Sequence, residues 1–185
     1  PITQLGDIVF YHCSDELTIY VPTAAVDNYK AADNWSSYAD KIKGFGSCGD
    51  NVYWSYDSYN ETLTIFGTGA MENYDSNNRP WESYCDDITT IDIRAGVTTI
   101  GDYAFTGCYA LSSIDIPASV TTIGEQAFAF CICLTSITIP ASVTTIGNSA
   151  FESCTGLKEI TIPNGVTTIG NSAFQDCRGL TSIEI

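Results

Sequence analysis

Cys85, Cys108, Cys131, Cys154 and Cys177 fall 23 residues apart. A fixed period in this range specifies a solenoid, in which successive turns of chain stack and each contacts only its neighbours. The flanking residues repeat in step. Three residues after each cysteine stand Ile88, Leu111, Leu134, Leu157 and Leu180, followed by the pairs Ile91/Ile93, Ile114/Ile116, Ile137/Ile139, Ile160/Ile162 and Ile183/Ile185. Apolar residues alternating at period two predict a strand. Pro117, Pro140 and Pro163 then stop it, and Val-Thr-Thr-Ile-Gly follows at 97–101, 120–124, 143–147 and 166–170 as a short extended piece. Each glycine is expected to release the chain into a tighter bend. The Ala-Phe pairs 104–105, 127–128, 150–151 and 173–174 lead to the next cysteine in a predicted short helical turn. The fold class is therefore an α/β repeat solenoid of 23-residue units, each a parallel strand, a turn and a short helical turn. One unit alone buries too little apolar surface to offset its ordering entropy, so the units must stack.

Stacking parallel strands turns every repeat position into a column. The residues between the inward isoleucines point outward and form two columns, Thr90/Ser113/Ser136/Glu159/Ser182 and Asp92/Asp115/Thr138/Thr161/Glu184. Thr90, Asp92, Ser113, Asp115, Ser136, Thr138, Glu159, Thr161 and Glu184 are thus the candidate partner-binding face; the plainer reading is a solvated surface of soluble β-formers. Its acids would attract calcium or a basic partner, but nothing resembles a dedicated calcium loop. The periodic cysteines become a column of small buried thiols. Side chains stacked in parallel fit the disulfide dihedral poorly, and the absence of any Cys-x-x-Cys pair argues against zinc. Cys133, where the other repeats carry Ala110, Gly156 and Gly179, is expected to be partly exposed and reactive.

Residues 85–185, in the pattern Cys-x-x-Leu-x-x-Ile-x-Ile-Pro-x-x-Val-Thr-x-Ile-Gly-x-x-Ala-Phe, closely resemble the BspA-type, or treponemal-type, leucine-rich repeats of bacterial surface proteins. Residues 46–84, with Cys48-Gly49, Trp54, Thr62 to Met71 and Pro80-Trp81, look like the β-rich segment that opens such arrays and caps them at the N-terminus. Residues 1–45 look like the end of a preceding block. Gly6, Phe10, Cys13, Ile19, Val21 and Pro22 match Gly101, Phe105, Cys108, Ile114, Ile116 and Pro117, and residues 23–43 resemble a closing helical tail. Thr23 and Ser36 are the expected caps of two short helices there. The family's pattern fails at Arg94, which stands where later repeats have proline. The resemblance implies adhesion and protein binding at an extracellular or cell-surface location, with a host-matrix or other surface protein as partner.

Charge narrows the partners further. Twenty-two acidic against seven basic residues give a formal net charge of −15, which repels nucleic acid and anionic lipid. No apolar run reaches the ~18 residues of a membrane span. The opening Pro1-Ile2-Thr3 reads as a piece of a longer secreted chain. Catalysis has little to stand on. His12 is the only histidine and sits at a variable repeat position, and no nucleophile motif, phosphate loop, dinucleotide fingerprint or zinc spacing occurs. No cofactor or metal is expected. Two alternatives accompany the binding module. One is a structural spacer whose terminal repeats stack head to tail between copies. The other is a glycan-binding accessory using Tyr53, Trp54, Tyr56, Tyr59, Tyr74, Trp81 and Tyr84, for which closing the open end of the solenoid is the competing role.

Overall fold

The computed structural model describes Phe10, Cys13 and residues 17–32 and 35–185, which divide into two compact units, 1–46 and 47–185. In the first unit, β1 (Ile19–Pro22) pairs in parallel with β2 (Ile42–Ser47). Between them lie a 3-10 turn at Thr23–Ala25, α1 (Val26–Ala31) and a 3-10 turn at Ser36–Tyr38. Val21, Trp35 and Ile42 are buried, with Phe10, Val26 and Tyr29 packed on them. Phe10 and Cys13 make the same turn bond as Phe105 and Cys108, with the Cys N–H donating to the Phe carbonyl at 3.1 and 3.2 Å. His12, Gly6 and most of the proposed early repeat lie outside the described residues. Thr23 and Ser36 do not cap helices; the Thr23 hydroxyl instead donates to the Phe45 carbonyl at 2.9 Å.

The second unit begins with an antiparallel hairpin of β3 (Val52–Asp57) and β4 (Thr62–Gly67), and a short β5 (Gly69–Ala70) follows. The repeats then supply β6 (Thr90–Ile93), β7 (Val97–Ile100), β8 (Ser113–Asp115), β9 (Thr122–Ile123), β10 (Thr145–Ile146), β11 (Glu159–Thr161), β12 (Thr168–Ile169) and β13 (Ser182–Glu184). Within this unit β3–β4–β6–β8 form one sheet, antiparallel at β3–β4 and parallel beyond, β11–β13 form a parallel pair farther along the same face, and β5–β7–β9–β10–β12 form a second, parallel sheet. The Val-Thr-Thr-Ile pieces are therefore not merely extended; they are a sheet of their own.

The Ala-Phe segments correct the expected helical turn. Positive φ recurs at Tyr103, Gln126, Ser149 and Ser172 and again at Gly107, Phe130, Ser153 and Asp176. Alternate N–H groups bond within the repeat (Ala104 to Gly101, Thr106 to Tyr103) and across to the next one (Tyr103 to Glu125, Phe105 to Ala127, Gly107 to Ala129, all 2.8 Å). Stacked repeats offer each N–H a carbonyl partner, so cross-repeat pairing displaces the helical ladder. The glycines ending Val-Thr-Thr-Ile-Gly have ordinary negative φ. A Cβ on Gly147 would stand 2.6 Å from the Glu125 nitrogen, so these glycines serve close backbone stacking, not turning.

The core is a continuous stack. Trp81, Phe105, Phe128, Phe151 and Phe174 follow ring on ring at 5.4–5.7 Å, and the Trp81 indole N–H donates to the Ala104 carbonyl at 2.9 Å. Trp54 packs on Trp81 at 6.0 Å, and Tyr56 stacks on Tyr84 at 4.6 Å. Arg79, itself buried, bonds Glu82 at 2.7 Å and also reaches the carbonyls of Ser76, Tyr103 and Thr106. The cap is thus tied to the first repeat by rings and by one buried guanidinium. At the last repeat Ile183 and Ile185, expected inside, are exposed.

The cysteine column is not uniformly thiol. Cys85 and Cys108 form a disulfide with Cα atoms 4.7 Å apart, which overturns the expectation of thiols throughout. The Sγ atoms of Cys131, Cys154 and Cys177 all point one repeat back, donating to the carbonyls of Phe105, Phe128 and Phe151. Cys85 follows a 3-10 turn, Glu82–Tyr84, in place of an Ala-Phe segment. Its Sγ lies 3.9 Å from the Thr106 carbonyl, one repeat forward. Only at this junction do two sulfurs face each other.

Candidate functional site

The strand face is positioned by the parallel register. β6 pairs with β8 so that Thr90 lies beside Ser113 and Asp92 beside Asp115. β11 pairs with β13 so that Glu159 lies beside Ser182 and Thr161 beside Glu184. Ser113, Asp115, Ser136, Thr138, Glu159, Thr161 and Glu184 are exposed, while Thr90 and Asp92 are half-buried. Between these two blocks stand Ser136 and Thr138, in the expected columns but in no assigned strand.

The face reaches farther than the repeats. Register carries the columns into the hairpin, where Thr62 pairs with Thr90 and Thr64 with Asp92, and Asp57 and Ser55 lie opposite Thr62 and Thr64. One column therefore runs Asp57/Thr62/Thr90/Ser113 and the other Thr64/Asp92/Asp115, with Ser55 in register beside Thr64 but buried. Sequence reading missed this extension because the hairpin lacks the repeat's landmarks; its only signal is the alternation in Thr62-Leu63-Thr64-Ile65. Beyond these columns Tyr53 and Phe66 form a ring pair at 5.9 Å. Trp54 and Trp81 are buried in the cap, so they close the solenoid and are not available for stacking on sugar rings.

Charge along the face is uneven. Arg94, the residue in the proline position, bonds the Asp92 carboxylate at 2.7 Å and neutralises it locally. Among the described residues, Asp115, Glu159 and Glu184 form no ion pair. Glu159 and Glu184 line a depression of about 240 Å³ with Ser136, Thr138, Thr161 and Ser182, alongside the strand positions of Ile137 and Ile160, whose side chains are buried in the core. Along its edge, Ser136 to Ile139 make no main-chain hydrogen bond to either neighbouring repeat. The second sheet shows no such gap in the same repeats, with Thr144 N–H on the Thr121 carbonyl and Thr167 N–H on the Thr144 carbonyl, both 2.9 Å.

Burial pushes the Cys48 and Cys154 thiols up to about 12 and raises Cys131 and Cys177 as well, which suppresses the nucleophilic thiolate. No group of three or more His, Cys, Asp or Glu side chains is placed to hold a metal ion among the described residues. Cys13 and Cys133 are the exposed free thiols, the latter as its position in the repeat suggests.

The BspA type leucine rich repeat region matches residues 82–185, in six copies. No curated protein sequence matches the chain. Among solved structures, the chain is similar to a leucine-rich repeat protein from Eubacterium ventriosum, at 27% identity and TM-score 0.61 over 76% of this chain and 43% of that one. It is also similar to a leucine rich cell surface protein from Faecalibacterium prausnitzii, at 29% identity and TM-score 0.61 over 77% and 41%. A leucine rich repeat protein of T. pallidum aligns at 25% identity and TM-score 0.58 over 70% and 66%. The chain spans less than half of the first two relatives and about two thirds of the third. With more than half its length matched by the repeat pattern, and that length folded as a stacked 23-residue solenoid, this chain belongs to the BspA-type leucine-rich-repeat family.

Proposed function

We propose that residues 47–185 form a non-catalytic protein-binding module of a bacterial surface or secreted protein, acting in adhesion through the outward strand face. The observation that carries this reading is the register: two polar columns continue from the hairpin into the repeats, giving a broad, outward platform on a rigid stack. The surface location draws on the F. prausnitzii relative, which is described as a cell surface protein. The ligand is an extracellular or host-matrix protein, or a protein on another cell. Fold alone does not select among them, because one scaffold hosts many partners.

The test is binding of the purified chain to a panel of matrix proteins and glycans by biolayer interferometry. The triple variant Asp115→Lys, Glu159→Lys, Glu184→Lys runs beside Gln175→Lys, a control at an exposed position among the cross-repeat turns. Saturable binding lost in the triple variant and kept in the control supports the strand face. Binding equally strong in the triple variant moves the recognition surface elsewhere.

A further inference from the structure

We propose that the depression across the third to fifth repeats is the anchoring subsite of the strand face, and that it takes a lysine or arginine side chain from an extended segment of a partner protein. This rests on the binding-module reading and deepens it.

The location comes from main-chain pairing. From Gly101 to Gly170 the second sheet and the cross-repeat turns bond repeat to repeat without a break, including Gly124 N–H on the Ile100 carbonyl at 2.9 Å and Phe128 N–H on the Ala150 carbonyl at 2.8 Å. On the strand face the repeats are joined at Thr90/Ser113 and again at Glu159/Ser182, but Ser136 to Ile139 pair with neither side. Strand N–H and C=O groups that the ladder satisfies elsewhere are left here for water or a ligand. The depression opens beside them. An interruption of pairing and a hollow at the same place mark a part of this face where a partner finds both unmet main-chain groups and room for a side chain.

The lining selects the chemistry. Glu159 and Glu184 stand on the two columns one repeat apart, so a cation seated between them meets carboxylates from both sides. Ser136, Thr138, Thr161 and Ser182 add hydroxyl oxygens, and the unpaired main chain of Ser136 to Thr138 borders the hollow. An ammonium offers three N–H donors and a guanidinium five, with no acceptor of their own, which matches a lining rich in acceptors. Asp92 provides the internal contrast: its carboxylate is already matched by Arg94, whereas no cation lines the depression. No aromatic ring lines it either, which disfavours sugar stacking there.

The experiment is a titration of the whole ¹⁵N-labelled chain with an alternating threonine–lysine peptide and with its norleucine counterpart, read by backbone amide shifts. Saturable shifts concentrated at Ser136 to Thr161, absent with norleucine, are expected. Glu159→Gln with Glu184→Gln should weaken the lysine peptide about tenfold, while Asp86→Asn, at an exposed acid outside the strand face, leaves it unchanged. Shifts spread over every acidic position, or equal weakening by Asp86→Asn, would mean general charge attraction and overturn the proposal; so would no shift at all. The outcome is separable from the panel experiment: partner binding lost in the strand-face triple variant, with no peptide shift at 136–161, leaves the module standing and removes the basic subsite.

Discussion

Cys85 and Cys108 join the opening residues of the first and second repeats, at a sequence separation of 23. Cross-linking a loop of that length restricts the unfolded chain by roughly 3 kcal/mol. Cys85→Ser with Cys108→Ser is therefore expected to lower stability by about that amount in urea unfolding, and native alkylation without reductant should label Cys13 and Cys133 while leaving the buried thiols unlabelled. The buried thiols add a pH dependence with a definite sign. Cys48 and Cys154 ionise near 12 when folded, against an ordinary value of 9.0, so the folded state holds their protons more tightly than the unfolded chain. Their contribution is complete below pH 9.0 and is lost as pH rises towards 12, so thermal melts should fall steeply over that window. Replacing Cys154 by alanine should flatten the fall; an unchanged slope would exclude thiol ionisation as the cause. At Gly147 the constraint is space: a methyl group meets the Glu125 nitrogen and the Gly124 carbonyl carbon, both at 2.6 Å. Gly147→Ala should cost about 1–3 kcal/mol, as overpacking does.

Among the elements, the aromatic stack carries the most packing per residue. Phe128 is fully buried between Phe105 and Phe151, with centroids 5.5 and 5.4 Å away, so Phe128→Ala opens a cavity in the middle of the stack and should cost about 3–5 kcal/mol. Phe174, at the last repeat and only partly buried, should cost visibly less when truncated, and equal losses would contradict a stack loaded most heavily at its centre. The same comparison explains what was legible in the sequence. The 23-residue period, the inward isoleucines and the outward columns are repeated locally, so each repeat reports the same environment and the face could be read residue by residue. What escaped depends on a neighbour. The Ala-Phe segments look helical in isolation, but their N–H groups find carbonyls in the next repeat. The glycine of Val-Thr-Thr-Ile-Gly looks like a turn residue, but it is small because another backbone lies against it. The Cys85–Cys108 bond forms because the cap's 3-10 turn aims one sulfur forward, which no spacing encodes. The strand gap at Ser136 to Ile139 is likewise invisible, since Thr-Ser-Ile-Thr-Ile reads as a strand as good as its neighbours.

At the scale of the whole molecule, the −15 charge and the local chemistry of the face act over different distances. The summed field reaches outward by about a Debye length, ~8 Å at physiological ionic strength, and draws in any cationic partner before contact. The carboxylates of Glu159 and Glu184 act only once a cation is seated between them. Long-range attraction therefore sets association rate, and the seated contact sets residence time. For a basic partner of the strand face, raising salt from about 0.05 to 0.5 M should slow association by an order of magnitude or more, with a smaller change in dissociation. Glu159→Gln with Glu184→Gln should do the reverse: removing 2 of 22 acids barely changes the field, but it takes both carboxylates from the lining. Stopped-flow association and surface-based dissociation on the double variant and the parent chain, each at low and high salt, separate the two effects. If the glutamate pair slowed association as strongly as salt does, and left dissociation alone, the depression would be part of the general acidic surface. If dissociation alone accelerates, the polar columns supply the platform, the net charge supplies the approach, and the hollow at the broken ladder supplies the grip.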